Sequence, residues 1–166
     1  IYVAGCGQEN RIYRNLGNGK FEDVSTAMGL ADVGAKGETG YGGNMATLLG
    51  DLDGDGYDDL VAYTKSVMHV FRNDGGNRNR WLRVRTVGRR SNRNGIGAVI
   101  RIDSESGRQW RMVHSGSSYC SQSELTVTFG LGADLLVRSL EVEWPGGARQ
   151  RQASVRANQV VTLTEP

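Results

Sequence analysis

The chain contains two copies of one short pattern, which lie 58 residues apart and align without a gap. The first copy reads YVAGCGQENRIYRN over residues 2–15, and the second reads LVAYTKSVMHVFRN over residues 60–73. Each copy predicts a strand, a turn and a second strand, followed by Gly and Asn turn residues. A β unit repeated at this period is typical of stacked or radial arrays such as propeller blades. We therefore interpret residues 1–72 as the end of a longer repeat array.

The second copy is preceded by the acidic stretch GDLDGDGYDDLVAY, which begins at residue 50. Counted from Asp51, carboxylates occupy positions 1, 3, 5 and 9, and a glycine occupies position 6. A hard cation such as Ca²⁺ takes about six to eight oxygen ligands, and this spacing with a carbonyl at position 7 supplies them from a short loop. The sequence therefore predicts a calcium loop with side-chain ligands from Asp51, Asp53, Asp55 and Asp59 and a backbone carbonyl from Tyr57.

The acidic loop differs from an EF-hand, because position 12 holds Ala62 in place of a bidentate Glu and the flanking segments have strand patterns. The spacing thus predicts a β-hairpin calcium loop with a Kd on the order of 10⁻⁴–10⁻³ M, as in extracellular modules. Such a site would be mostly empty in a cytosol, which favours an extracellular or periplasmic protein. The alternative is a solvated acidic turn without a metal. Asp58, at position 8, is expected to face solvent or an ion-pair partner.

The charge distribution divides the chain into two modules. Residues 1–66 hold 10 acidic and 5 basic residues, a net charge of −5. Residues 67–166 hold 8 acidic and 15 basic residues, a net charge of +7, and all 15 basic residues are arginines. The polar stretch NDGGNRNR at residues 73–80 marks the boundary. We expect two domains, residues 1–76 with the calcium loop and residues 77–166.

The second module shows six strand-like runs, several of which alternate apolar and polar residues. They are WLRVRT (81–86), AVIRID (98–103), RQWRMVH (108–114), LTVTF (125–129), SLEVEW (139–144) and QVVTLT (159–164). Alternation of this kind is typical of sheets with one buried and one solvated face. The sequence therefore predicts an all-β chain, in which the end of a β-propeller-type repeat array is followed by a small antiparallel β-sandwich.

Glycine and proline predict the turns of the second module. Pro145-Gly146 fits positions i+1 and i+2 of a type II turn, which predicts a hairpin after Trp144. The Gly-rich pieces SNRNGIGA (91–98) and FGLGA (129–133) lack the spacing of phosphate-binding loops. We expect both to be tight turns with positive φ.

The two cysteines, Cys6 and Cys120, lie in different modules. A disulfide between them would argue for an oxidising compartment, and the alternative is two separate buried thiols. No apolar run approaches the roughly 20 residues that span a bilayer, so no transmembrane segment is expected in this chain. High glycine content with short apolar runs argues against long helices and against disorder.

Both modules resemble known families. The first is similar to the FG-GAP/VCBS repeats of secreted and cell-surface β-propellers, through residues 10–15, 17–21 and 51–62. The second is similar to the ASPIC/UnbV domain, which follows VCBS repeats at the C-terminus in that family. The motifs that carry this second similarity include SNR (91–93), GIGA (95–98), SQS (121–123), FGLG (129–132) and VEWPG (142–146). The resemblance implies structural calcium at the acidic loop and a family without established catalytic chemistry.

These features predict a non-enzymatic, calcium-braced β module that is extracellular or periplasmic and mediates protein–protein interaction or adhesion. Its partner would be a protein at the cell surface or in the periplasm. In a variant of this hypothesis, the chain is an accessory subunit of a surface or membrane complex. The alternatives are a carbohydrate-binding module with a glycan as partner, and the non-catalytic end of an extracellular hydrolase.

The residues suited to chemistry or to anion binding favour a non-catalytic protein. His69 and His114 are the two near-neutral bases, and the sequence ties neither to a nucleophile or a carboxylate. The arginines are spread along strand faces, so we expect a solvated surface in preference to an anion site, and no nucleic-acid partner. Trp81, Trp110 and Trp144 are expected in the core or at its rim in preference to a sugar platform. No catalytic residue and no cofactor other than Ca²⁺ is assigned.

Overall fold

The computed structural model describes residues 1–3, 10–30, 44–64, 68–74, 78–117 and 122–166. The regular structure in these residues consists of β-strands, so the predicted all-β fold class is confirmed. None of the described segments forms a helix long and apolar enough to cross a membrane. Cys6 and Cys120 lie outside the described residues, and the prediction about their pairing lies outside them too.

The chain folds into two compact units, Ile1–Asp74 and Gly75–Pro166, which we call the repeat unit and the sandwich unit. The strands of the repeat unit are β1 Tyr2–Val3, β2 Arg11–Gly17, β3 Lys20–Asp23, β4 Asn44–Gly50, β5 Asp59–Thr64 and β6 Met68–Phe71. They form two three-stranded antiparallel sheets, in the orders β1-β2-β3 and β4-β5-β6. Each sheet is therefore a meander in which consecutive strands are neighbours.

The two sequence copies form corresponding strand pairs with different registers. In the first copy, Tyr2 on β1 faces Ile12 on β2. In the second copy, Leu60 corresponds to Tyr2 and faces Phe71 on β6, whereas the repeat would place it opposite Val70. The repeat thus preserves the order of the strands but not their register.

The strands of the sandwich unit are β7 Arg80–Val87, β8 Val99–Ser104, β9 Gly107–Met112, β10 Val127–Gly132, β11 Leu136–Glu143, β12 Arg149–Arg156 and β13 Gln159–Thr164. They form one sheet in the order β10-β7-β13 and a second in the order β12-β11-β8-β9. Buried apolar residues from both sheets form one core cluster, which includes Leu82, Ile100, Phe129, Val142 and Trp144. Apolar and polar residues alternate along these strands because one face of each sheet packs into this core and the other faces water.

Two strands of the sandwich unit depart from the prediction. β12 is absent from the six predicted runs, because its sequence RQRQASVR shows no apolar alternation. It is an edge strand, and its buried side chain is that of Val155. In addition, β13 pairs with β7 in parallel, with Gln159 opposite Leu82, whereas the other strand pairs of this unit are antiparallel.

The connection after Trp144 is a hairpin, as predicted, but the predicted turn type is wrong. Positive φ falls on Gly147, at 85°, instead of Gly146. The N–H of Gly147 donates to the carbonyl of Trp144 at 2.8 Å, and the N–H of Trp144 donates to the carbonyl of Ala148 at 2.8 Å. A type I turn followed by a left-handed glycine has this arrangement, which suits the twist of a three-residue hairpin loop.

The Gly-rich turns and the tryptophans gave mixed outcomes. Positive φ is confirmed at Gly95, at 70°, and at Gly97, at 91°. Trp144 is buried in the core and its indole N–H donates to Gln150 at 3.0 Å. Trp110 on β9 is 63% exposed, so the expectation of a core or rim position is wrong for this residue. Its side chain lies on the solvent-exposed face of the sheet.

Candidate metal site at the acidic loop

The acidic loop, residues 51–58, connects β4 to β5. The two strands pair up to Gly50 and Asp59, which face each other as the last pair of the ladder. Gly54 and Gly56 have positive φ of 81° and 93°, which glycine adopts without the steric cost that a Cβ would bring. The ladder therefore fixes the two ends of the loop, and the glycines allow the tight turns between them.

Alternate aspartates fold the loop by accepting backbone N–H groups. Asp51 accepts the N–H of Gly54 at 2.8 Å with Oδ1 and the N–H of Gly56 at 3.1 Å with Oδ2. Asp53 accepts the N–H of Asp55 at 3.2 Å. An ionised carboxylate offers about four lone-pair sites, so one or two such bonds leave sites for a metal ion. The 1-3-5 spacing thus serves the turn as well as the predicted ligand set.

Asp59 joins the loop to the end of β6. Its side chain is buried, with 2% exposure, and accepts the N–H of Asn73 at 2.7 Å and the N–H of Leu52 at 2.9 Å. These two N–H groups, together with the charge of Arg72, hold the pKa of the Asp59 carboxyl below its usual value. The carboxylate is therefore ionised at neutral pH and available to a cation.

The carboxylates of Asp51, Asp53 and Asp59 converge on one point. One oxygen of each lies within 4.8 Å of the corresponding oxygens of the other two. Two oxygens that bind the same Ca²⁺ at about 2.3–2.6 Å are at most about 5 Å apart, so this spacing fits a calcium ion. The donors are all oxygens, which this hard cation prefers. Among the acidic side chains of the described residues, these three form the group that could hold the metal.

The structure thus brings together three of the four predicted carboxylate ligands. Asp55 is exposed and lies outside the convergent group, where it accepts the N–H of Tyr57 at 2.9 Å. Tyr57 is half-buried, and the proposed role of its backbone carbonyl stays a prediction. Asp58 is exposed, and its carbonyl oxygen accepts the side-chain N–H of Asn73 at 3.3 Å.

Sequence reasoning missed two residues beside the loop, Arg72 and Asn73. Nε of Arg72 lies 2.5 Å from Oδ1 of Asp74 and 3.5 Å from Oδ2 of Asp53. The hydrogen bond to Asp74 and its charge, followed by the charge of Asp53, raise the pKa of the guanidinium. Arg72 therefore places a positive charge next to the convergent carboxylates. A signal was present, because the Arg-Asn dipeptide ends both copies of the repeat.

Comparison with known proteins matches both parts of the chain. Residues 1–62, which include the acidic loop, match the family model for the FG-GAP-like repeat, and residues 88–166 match the family model ASPIC and UnbV. Cartilage acidic protein 1 of Homo sapiens and that of Mus musculus are each 31% identical over 167 residues, covering 95% of this chain and 24% of the relative. The Xenopus tropicalis protein of the same name is 36% identical over 107 residues, covering 58% of this chain and 16% of that protein. The chain therefore spans at most 24% of the length of these relatives.

Proposed function

Because the chain belongs to the proteins that join FG-GAP-like repeats to an ASPIC and UnbV domain, we propose that it is a non-enzymatic, extracellular β module braced by calcium. Both family resemblances inferred from the sequence are thereby confirmed. One observation carries the calcium part of the proposal: the carboxylates of Asp51, Asp53 and Asp59 converge within 4.8 Å.

The carboxylates would brace the repeat unit through their positions at strand ends. Like charges this close repel one another, and a bound Ca²⁺ supplies the positive charge that offsets the repulsion. Asp59 begins β5 and accepts the N–H of Asn73 beyond β6, so fixing its carboxylate also secures the end of the β4-β5-β6 sheet. With a Kd of about 10⁻⁴ M and about 1 mM free calcium, binding adds about 1.4 kcal/mol to the stability of the folded state.

The expected affinity supports an extracellular location. A site with a Kd on the order of 10⁻⁴–10⁻³ M is used by extracellular modules, where calcium is abundant. The match to FG-GAP-like repeats and the similarity to cartilage acidic protein 1 support the same location. A periplasmic location is the alternative form of this proposal.

An exposed apolar face on the β4-β5-β6 sheet supports a protein partner. Leu48, Val61 and Val70 lie in one cross-strand row, and Tyr63 and Met68 face each other in a second row on the same side. Leu48, Tyr63, Met68 and Val70 are exposed. Contiguous apolar surface of this kind marks contacts with other proteins. Adhesion at the cell surface, or an accessory role in a surface or membrane complex, would use such a contact.

The histidines support a non-catalytic role. The ring of His69 stacks on Phe71, with ring centroids 6.3 Å apart, which is a packing contact within β6. His114 lies exposed after the end of β9. The function proposed for this chain therefore uses no general base.

The test of the calcium proposal is a calcium titration by calorimetry, paired with thermal unfolding in 1 mM calcium and in excess chelator. Unfolding is followed by far-UV circular dichroism, because the repeat unit contains no tryptophan and all three tryptophans lie in the sandwich unit. We expect calcium to bind and to raise the Tm of the repeat unit by about 6–11 °C, since each kcal/mol shifts the Tm of a unit of this size by about 4–8 °C and binding adds about 1.4 kcal/mol. Asp53→Ala should abolish both effects.

Asp58→Ala is the matched control, because it removes one carboxylate from the same loop but not from the convergent group. It should retain calcium binding and the Tm shift. If wild-type protein neither binds calcium nor changes its Tm, the loop is a solvated acidic turn and the proposal fails. Equal losses in the two variants would attribute the effect to loop charge instead of to coordination.

A further inference from the structure

The outer face of the β12-β11-β8-β9 sheet in the sandwich unit carries an ordered array of charged side chains. Arg151, Glu141, Arg101 and Trp110 face one another in sequence across the four strands, so they form one continuous row. The neighbouring residues along the same strands, such as Ile100 and Val142, point to the opposite side of the sheet and into the core. The row therefore presents a cation, an anion, a second cation and an aromatic ring along one line of the surface.

The rows on either side add further ion pairs. Glu143 pairs with Arg101 at 2.9 Å and with Arg149 at 3.1 Å. Asp103 pairs with Arg108 at 3.1 Å and with Arg138 at 3.6 Å. Glu141 pairs with Arg151 at 3.4 Å, so five arginines share three carboxylates. Exposed ion pairs of this kind are weak. Since arginines outnumber carboxylates on this face, some of these guanidinium groups can bind an anionic ligand with little loss of stability.

The aromatic end of the row is open. Trp110 is 63% exposed and Met112, two residues further along the edge strand β9, is 45% exposed. Two shallow grooves of about 460 and 390 Å³ run along the face, and both are lined by Arg101, Glu141 and Arg151. Trp110 lines the second groove. A flat, exposed indole beside grooves lined by donors and acceptors offers a stacking surface together with polar contacts.

We propose that this face binds an acidic glycan. A pyranose ring stacks on the indole of Trp110, and sulfate or carboxylate groups of the sugar chain are bound by the surplus arginines, whose planar guanidinium groups match such anions bidentately. Glu141 and Asp103 accept hydrogen bonds from sugar hydroxyl groups. The net positive charge of the face, five arginines against three carboxylates, is the complement of a negatively charged polymer.

The same observations argue against a protein as the occupant. The central part of a protein interface is apolar and depleted in charged residues. Here the centre of the face consists of Arg101, Glu141 and Glu143, so a protein would have to bury several charges without their water, which is costly. A hydroxyl-rich polymer replaces that water with hydrogen bonds of its own. The mixed donors and acceptors of the face therefore fit a glycan.

The experiment is a calorimetric titration of the whole chain with a heparin hexasaccharide as the sulfated probe. Dextran oligosaccharide serves as a neutral probe and a polyglutamate peptide as an acidic peptide probe. We expect saturable binding of the hexasaccharide alone, weakened by raising the salt concentration. Trp110→Ala should weaken it about tenfold or more, and Arg108→Gln combined with Arg149→Gln should weaken it about as much. Binding should be unchanged in excess chelator, which separates this site from the calcium proposal.

Matched controls lie on other parts of the sandwich unit. Val160→Ala removes an exposed apolar side chain from β13, and Arg85→Gln combined with Arg90→Gln removes two exposed arginines outside the grooves. Both controls should leave affinity within about twofold of wild type. The proposal is overturned if the hexasaccharide does not bind, or if each control weakens binding as much as its matched variant. It is likewise overturned if dextran or polyglutamate binds as tightly with the same dependence on Trp110.

Discussion

The two units of this chain are built from similar strands but bury apolar side chains to very different extents. In the sandwich unit, fourteen buried apolar residues form one cluster, with Trp144 and Phe129 among the largest. In the described part of the repeat unit, the buried apolar side chains are those of Leu30, Leu60 and Ala62. The described part of the repeat unit therefore contributes less apolar burial to stability than the sandwich unit does.

The strand patterns explain this difference. β7 alternates buried apolar residues with arginines, so one face suits a core and the other suits water. On β5, Leu60 and Ala62 are buried, but Tyr63 on the opposite face is also apolar and is exposed. A sheet with apolar residues on both faces is fully buried only when both faces are covered. In the described part of the repeat unit, buried polar side chains such as Asp59 therefore contribute a larger share of the burial, and the β4-β5-β6 sheet keeps an exposed apolar face.

The largest expected effect comes from emptying the core of the sandwich unit. Phe129→Ala should cost about 3–5 kcal/mol of unfolding free energy, because Phe129 is fully buried opposite Leu82 and its removal leaves a cavity. Urea unfolding followed by tryptophan fluorescence measures this cost, since every tryptophan lies in the sandwich unit. Phe21→Ala in β3, where Phe21 is 46% exposed, should cost less than about 1 kcal/mol.

The cost of Phe21→Ala is measured by hydrogen exchange of peptides from the repeat unit, since this unit contains no tryptophan. If Phe129→Ala leaves too little folded protein, Phe129→Leu still removes volume and should cost about 1–2 kcal/mol. Comparable costs at Phe129 and Phe21 would break the comparison, because they would mean that the repeat unit has a core of similar strength.

The next effect separates two glycines with nearly equal backbone angles. Gly95 in the sandwich unit has φ of 70° and Gly19 in the repeat unit has φ of 73°. A Cβ at Gly95 would lie 2.3 Å from Oγ1 of Thr86, whereas a Cβ at Gly19 would meet nothing within 4 Å. Gly19→Ala should cost about 1–2 kcal/mol for the left-handed backbone. Gly95→Ala should cost about 1–3 kcal/mol more, since Thr86 is buried and must move.

Urea unfolding detected by fluorescence suits the variant at Gly95, and hydrogen exchange of the β2–β3 peptides suits the variant at Gly19. The larger cost at Gly95 is expected because packed side chains surround this glycine and no atom of the described residues lies near the Cβ position of Gly19. Equal losses of unfolding free energy in the two variants would show that the turn around Gly95 relaxes as freely as the exposed β2–β3 turn. That result would contradict tighter packing in the sandwich unit.

Sequence reasoning succeeded where one physical requirement determines the pattern. Period-two alternation predicted most strands of the sandwich unit, because each has one face in the core. It missed β12, an edge strand of polar residues whose side chain at Val155 is buried, and it could not show that β13 pairs with β7 in parallel. Strand pairing depends on contacts between distant residues, and alternation in one segment carries no information about them.

The candidate site followed the same rule. The spacing of the aspartates predicted a tight acidic loop, and Asp51, Asp53 and Asp59 do converge. Arg72 and Asn73 were missed because they approach the loop from the end of β6, through pairing of β5 with β6. The exposure of Trp110 was missed for a related reason, since alternation alone does not say which face of an isolated strand is outside.

The last comparison concerns two carboxylates, one in each unit. Glu165 in the sandwich unit is buried and accepts the N–H groups of Ser91, Arg89 and Arg90 as well as the hydroxyl of Ser91. The N–H of Ser91 contributes most, and together these donors lower the pKa of Glu165 from 4.5 to about 2. In the repeat unit, the Ser25 hydroxyl is the main cause that lowers the pKa of Asp23 from 3.8 to about 2.

Both pKa values are lowered by folding, so each carboxylate stabilises the folded state above its unfolded pKa and loses this contribution as pH falls toward about 2. Glu165 accepts hydrogen bonds from residues that are 74–76 positions away in the sequence, whereas Asp23 and Ser25 are only two positions apart. Glu165→Gln should therefore lower the fluorescence-detected urea midpoint at pH 7 and flatten its decline between about pH 4.5 and 2. Part of the decline should persist, because the pKa values of Glu143 and Asp134 are also lowered in this unit. Asp23→Asn should leave the fluorescence-detected curve unchanged, and an equal flattening in both variants would mean that the two units do not unfold as separate bodies.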